Sequence, residues 1–473
     1  MNVSRRGFLR AGIVTAATLQ ALGAHRAPDA ATPANRRRSG YGDVRPLPDR
    51  DGRTILALPE GFEYTTFSRT AEPFGDGLAV PRSHDGMTCV PGPQGLLRLI
   101  RNHEVVNAAG DFSRGIRVPR ELAYDPQAMG GCMALDFDPR ERRLVRQFFA
   151  IGGTIANCAG GLAYRDAGWI TCEEVPRGVA QGYEKPHGYA FFVPASIEGT
   201  VAAIPIKPMG RFAHEAAVAS ASGLVYETED SGDTSGFYRY TPRSADDLSA
   251  GRLQMLAVRG EPDATLYHGQ KIGAALPVHW VDIDNPDPDL ENGAPTCFGQ
   301  GRARGGAAFN RLEGIFRGLD GESIYFVSTS GGDARSKDGV AYGQLWRYRP
   351  ARDGRKSDDL TLVFESPSGS VLESPDNLAI SPRGGILFCE DDAIRDRDSH
   401  PSTGKLTEVN RLVGVSARGE AFTFAVNVLN ASELAGACWS PDGEILFVNL
   451  FGNSTPGSGM TCAIWGPWNE GPL

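Results

Sequence analysis

Apolar positions in this chain come in short runs broken by Gly, Pro, Asn and Asp, and few stretches carry the spacing of an amphipathic helix. From about Gly61 onward one unit recurs. It opens on a short polar group, runs through a strand to a turn, and returns along a second apolar strand ending in acids or amides. The first unit opens at His84-Asp85-Gly86-Met87 and ends at Arg101-Asn102-His103-Glu104. The second opens at Asn157-Cys158-Ala159-Gly160-Gly161 and ends at Trp169-Ile170-Thr171-Cys172-Glu173-Glu174. The third opens at His214-Glu215-Ala216 and ends at Glu227-Thr228-Glu229-Asp230. The fourth opens at Arg311-Leu312-Glu313-Gly314 and ends at Ser330-Gly331-Gly332-Asp333. The fifth opens at Ser374-Pro375-Asp376-Asn377 and ends at Phe388-Cys389-Glu390-Asp391-Asp392. The sixth opens at Ala435-Gly436-Ala437-Cys438 and ends at Ile445-Leu446-Phe447-Val448-Asn449.

The turns Ser381-Pro382-Arg383-Gly384-Gly385 and Ser440-Pro441-Asp442-Gly443-Glu444 are strong hairpin signals. Gly236-Phe237-Tyr238-Arg239-Tyr240-Thr241-Pro242 and Gln344-Leu345-Trp346-Arg347-Tyr348-Arg349-Pro350 are near copies, read as further outer strands; residues 188–194 are a looser third. Six such units predict an all-β fold, a six-bladed β-propeller with loop insertions. Polar residues at one end of each innermost strand then converge on the central axis. That convergence is how acids scattered from Glu104 to Asp391 could form one site. Residues 243–304 break the rhythm. Their acid run, Asp282, Asp284, Asp287, Asp289 and Glu291, reads as an exposed loop or one over the channel mouth.

Composition narrows the function. With 59 Gly and 32 Pro among 473 residues the chain is rich in turn-formers, and a formal net charge of -9 argues against nucleic acid as a partner. Eight cysteines show no CxxC spacing, so zinc ribbons and thioredoxin chemistry are not indicated. Ser4-Arg5-Arg6-Gly7-Phe8-Leu9-Arg10 precedes a short apolar run to Ala24. This is the pattern of a twin-arginine export signal, too short to span a membrane. The division expected is a signal over residues 1–30, an extended lead over 31–60, and one propeller domain over 61–473. Export predicts a periplasmic or extracellular protein that uses the twin-arginine machinery and has no stable membrane anchor.

The second unit carries the chemistry. A hairpin over residues 157–174 could bring Cys158 and Glu173 to one end of a sheet, and a thiolate beside a carboxylate needs a cation between them. There is no Walker-type loop, no G-x-S-x-G and no H-E-x-x-H. Many carboxylates and one well-placed thiol favour Ca²⁺ or Fe³⁺ over zinc, and such a cluster suits phosphate-ester hydrolysis. Arg311, two residues before Glu313, is the candidate for stabilising phosphate charge. A calcium-dependent propeller hydrolase acting on lactones or phosphotriesters, and a non-catalytic propeller that binds a partner, are the competing readings.

These motifs, together with Thr171-Cys172-Glu173-Glu174, Ala213-His214-Glu215 and Glu229-Asp230, resemble the PhoX-type alkaline phosphatases over about Gly61 to Trp468. The resemblance implies a six-bladed propeller and an exported phosphomonoesterase acting on small phosphate esters. It implies a site with two ferric ions, calcium ions and a bridging oxo group. Carried over motif by motif, Cys158 is the thiolate bridging the irons, and Glu173, Glu215, Asp230, Glu313 and Asp391 are metal ligands. Arg311 contacts the phosphate. Two aspartates are expected where this chain reads Glu229-Asp230.

Overall fold

The computed structural model describes residues 40–473 apart from 76, 109–114, 353–355, 392–397, 400–405 and 408. The expected export signal therefore lies outside the described residues. The fold is the six-bladed propeller that the repeat predicts. The innermost strands are His84–Pro91, Asn157–Leu162, His214–Ala219, Leu312–Arg317, Pro375–Ile380 and Leu434–Trp439, and each packs on the next to close a ring. Outward from each, antiparallel neighbours complete a blade. The near-copied segments form the third strands of blades 3 and 4, Phe237–Ser244 and Gln344–Arg349. Between blades lie layers of apolar side chains, such as Phe237 stacked on Phe326 at 4.2 Å, both fully buried.

Three features lie beyond the two-strand repeat. Glu63–Phe67 pairs with Met460–Trp465, so the start of the propeller supplies the outer strand of blade 6 and fastens the ring. Ala275–Asp282 pairs with the outer strands of both blade 3 and blade 4 and joins them in one nine-stranded sheet. The acid run after it is held by protein groups. Asp284 pairs with Arg304, Asp287 takes the Tyr189 hydroxyl and Lys207, and Glu291 accepts from the Val179 amide.

The lead expected over 31–60 is, from Val44 onward, part of the propeller. Val44–Pro48 and Thr54–Pro59 form a hairpin on the edge of blade 5, and Ile55, Leu56, Ala57 and Leu58 are buried. Tyr64 holds this hairpin to the closing strand. Its hydroxyl accepts from the amides of Ile55 (2.9 Å) and Leu56 (3.1 Å) and donates to the Leu47 carbonyl (2.8 Å). On blade 2, His187 is fully buried, 2.7 Å from Glu173 Oε1 and 3.4 Å from Asp125 Oδ2. It ties the segments before and after the inner hairpin together. Burial alone lowers the imidazole pKa, but Glu173 and Asp125 more than offset this and raise it to about 9.

Tyr64→Phe leaves two buried amides without an acceptor and should lower unfolding stability by about 2 kcal/mol in urea titration. Because the folded pKa of His187 lies above its unfolded value, its contribution is complete below about pH 6.5 and fades as pH rises through about 9. The unfolding midpoint of wild type should therefore fall across that window by more than that of His187→Gln.

Candidate metal centre

The site grows from one irregularity repeated in the blades. Where the second strand runs out, the next residue donates its amide to the residue that precedes the innermost strand. Glu104 donates to Ser83 (3.0 Å), Glu174 to Ala156 (2.9 Å) and Asp230 to Ala213 (3.1 Å). Thr329 donates to Arg311 (2.9 Å), Asp391 to Ser374 (3.0 Å) and Phe451 to Glu433 (3.2 Å). Just inside this bond the register shifts in every inner hairpin, at His84/Met87, Asn157/Gly160, His214/Ala216, Leu312/Ile315, Pro375/Leu378 and Ala435/Cys438. A bulge breaks the alternation of a strand and re-aims a side chain. The residue two beyond the leading one is Asp85, Cys158, Glu215, Glu313 and Asp376 in blades 1 to 5, and Ala435 in blade 6. The ring is tight here. A Cβ on Gly86 would lie 2.6 Å from Ala159 Cα, and one on Gly314 would lie 2.8 Å from Asn377 Cα.

Buried amides lock neighbouring bulges together. Asn102 donates to the carbonyls of Cys158 (3.0 Å) and Ala159 (2.8 Å), while its own oxygen accepts from Trp169 Nε1. Asn449 donates to the Asp85 carbonyl (2.6 Å), and Asn377 accepts from the Gly436 amide (2.6 Å). Arg101, next to Asn102 on the strand, faces the other way. It reaches Thr461 of blade 6 at 2.7 Å and is fully buried, which lowers its pKa to about 9.

Among the described residues, two groups of potential ligand atoms result. Those of Cys158, Glu174 and Glu215 all lie within 4.8 Å of one another, and so do those of Glu215, Glu313 and Asp376. Glu215 belongs to both. Around them the carboxyl pKa values rise, first through burial and then through like charge. Asp85 feels Glu104 and Asp376, and Glu433 feels Asp391 and Asp85. Glu104 is raised to about 8 with Asp376 and Asp391 as neighbours. The Cys158 thiol is pushed up by burial, Asp85 and Glu215. Arg311 is a cation among them. Its Nη2 lies 2.9 Å from Asp230 Oδ2 and 2.7 Å from Glu313 Oε1, and these acids raise its pKa against the pull of burial. Its backbone is left-handed (φ 51°), as at Ser83, Ala156 and Ser374, which also lead into innermost strands.

The donor set fits cations. Two like charges about 4 Å apart repel by about 4 kcal/mol at an effective dielectric of about 20. Asp85, Glu104, Glu174, Glu215, Glu313, Asp376 and Glu433, their pKa values all raised by burial and by neighbouring acids, therefore cannot all ionise beside Arg311 and Arg82. Protonation would relieve them, but a buried carboxylic acid needs an acceptor for its proton. Both oxygens of Glu215 and Oδ1 of Asp85 are buried with no hydrogen-bond partner among the described residues. Oxygen-rich cation coordination satisfies such atoms directly.

Of the residues singled out from sequence, the structure brings Cys158, Glu215, Asp230, Glu313, Asp391 and Arg311 to this mouth of the channel. Glu173 is set apart. Its carboxylate accepts from Ile155 N, His187 Nδ1, Gly188 N and Tyr189 N, so its oxygens are already engaged, and Glu174 stands beside Cys158 instead. Glu390 is likewise taken up by Arg411 at 2.6 Å, while Asp392 lies outside the described residues. Sequence reasoning gave no role to Asp85, Asp376 or Glu104, and passed over Glu433. Aligning the second position of the repeat finds Asp85 and Asp376; nothing in the pattern marks Glu433.

The profile of the family described as alkaline phosphatase PhoX matches residues 39–457. No curated protein matches. Among solved structures, Pseudomonas fluorescens PhoX in complex with vanadate, a transition state analogue, superposes with a TM-score of 0.63 at 18% identity, over 92% of this chain and 99% of that one. A luciferin-regenerating enzyme (TM-score 0.41, 10% identity, 82% and 92% covered) and a periplasmic gluconolactonase from Pseudomonas aeruginosa (0.35, 12%, 82% and 96%) are more distant. The match runs from before the first blade into the sixth, and the residues expected from the resemblance lie inside it: the chain belongs to the alkaline phosphatase PhoX family.

Proposed function

We propose that this chain is a metal-dependent phosphatase that cleaves small phosphate monoesters outside the cytoplasm. Metal-dependent phosphate hydrolysis is the chemistry of its family. The observation that carries the finer reading is Arg311 standing against a buried acid-and-thiol cluster on the axis. Cys158, with Glu174 and Glu215, supports a ferric site, because a thiolate is a poor ligand for calcium. Glu215, Glu313 and Asp376, and the acids around Asp85, Glu104, Asp391 and Glu433, support further iron or calcium sites. When bound, the cations supply charge for the phosphate oxygens and activate the attacking water.

The residues of the chain do the positioning. Asp230 accepts from both Nε (3.1 Å) and Nη2 (2.9 Å) of Arg311, and Glu313 lies on the same Nη2, which fixes the plane of the guanidinium. Its Nη1 has no protein partner among the described residues and is free to donate to a phosphate oxygen. A donor fixed in advance stabilises charge that develops on a non-bridging oxygen without reorganising in the reaction. That the Pseudomonas fluorescens relative takes vanadate, a transition state analogue, supports recognition of a phosphate-like group. The paired Arg5-Arg6 ahead of an apolar run supports export by the twin-arginine route. Among the described residues no helix is long and apolar enough to cross a membrane.

Cys158→Ala should retain the wild-type circular dichroism spectrum, lose bound iron, and hydrolyse p-nitrophenyl phosphate at least about 1,000-fold more slowly. Normal turnover by that variant removes the thiolate from the account, and retained calcium-dependent lactone hydrolysis with no iron favours the other hydrolase. Arg311→Lys keeps the charge but loses the fork. It should lower kcat/KM by about 100-fold and weaken vanadate inhibition in parallel; unchanged inhibition places the anion elsewhere.

A further inference from the structure

The channel has a second end. A cavity of about 580 Å³ starts directly behind the bulges, at the backbones of Gly86, Ala159, Gly314 and Gly436, and opens on the face opposite the acids. Its walls include Met87, Ile315, Leu378 and Trp439. The volume falls in the range of about 300–1,000 Å³ typical of small-molecule sites. Apolar walls of this kind hold water poorly and favour an apolar guest. No acid of the metal centre lines this cavity.

The mouth is different in character. It is formed by the turns after the innermost strands of blades 2 and 4, with Tyr164, Arg165 and Asp166 on one side and Arg317 and Leu319 on the other. Arg317 is held by Asp166 (2.7 Å) and the Ala219 carbonyl (3.1 Å). Arg165 is exposed, lies 4.8 Å from the Tyr164 ring, and has no acid partner among the described residues. Leu319 is 44% exposed beside this mouth. An apolar well thus ends at a cation left uncompensated, and the complementary ligand is a chain with an anionic head.

We propose that this end of the channel binds an anionic amphiphile of the medium-chain carboxylate class, its chain among Met87, Ile315, Leu378 and Trp439 and its head at Arg165. A neutral apolar guest would fill the well but leave Arg165 unused. The site stands apart from the phosphatase reading and does not depend on it.

Binding is measured on the full chain by the fluorescence of 8-anilinonaphthalene-1-sulfonate and its displacement by decanoate, with decan-1-ol as the neutral counterpart. Arg165 and Leu319 are exposed, so Arg165→Glu and Leu319→Asp should keep the wild-type unfolding midpoint. Decanoate should displace the dye from wild type saturably. Arg165→Glu should weaken decanoate by about tenfold while decan-1-ol changes by less than about twofold. Leu319→Asp should weaken both. The proposal is overturned by an absence of saturable displacement from wild type, or by decanoate affinity that ignores Arg165→Glu.

Discussion

Among the described residues, nine carboxylates and a thiol meet where the innermost strands of the propeller begin, and the repulsion within this cluster must be relieved by protons or by cations. This constraint governs the rest of the structure. The strands that carry these groups are held by a repeated amide-to-carbonyl bond, by bulges that turn the second residue toward the axis, and by Asn102, Asn377 and Asn449 bridging one bulge to the next. Without such bracing, groups that repel one another would spread apart, and a cation site of fixed shape would be lost.

The surrounding fold supplies the stability that the site consumes. Apolar layers fill the spaces between blades, a strand from the start of the propeller completes the last blade, and a shared strand fuses blades 3 and 4. The same ring separates two environments by one layer of backbone. Acids and Arg311 face one mouth, and an apolar well faces the other. A propeller produces this division naturally, because the bulge marks the depth at which the inner strands change from polar to apolar.

Much of this was legible in the sequence, for a physical reason. Each blade folds its two inner strands as a local hairpin, so the acid ends of Glu229-Asp230 and Glu390-Asp391 and the turn Ser440–Glu444 carry their own signal. What escaped was set by non-local pairing or by the phase of a strand end. Glu63–Phe67 pairs with a strand nearly the whole chain away, and no pattern near it says so. Glu173 and Glu174 are adjacent, and a one-residue change of phase exchanges which of them faces the axis. The register shift at Asn157/Gly160 and the donors from residues 155 and 187–189 decide for Glu174. Glu433 precedes an apolar strand in a blade that lacks the acid of the others, so repetition could not find it.

The most direct test is elemental analysis of the exported, natively purified protein, followed by its unfolding midpoint before and after exhaustive chelation at neutral pH. If cations relieve the charge at the axis, the protein carries both calcium and iron in whole-number ratios, and stripping them lowers the midpoint by several degrees or more. Protein that arrives without metal, and whose midpoint ignores the chelator, would show that protons alone settle the cluster, and the metal centre would fall.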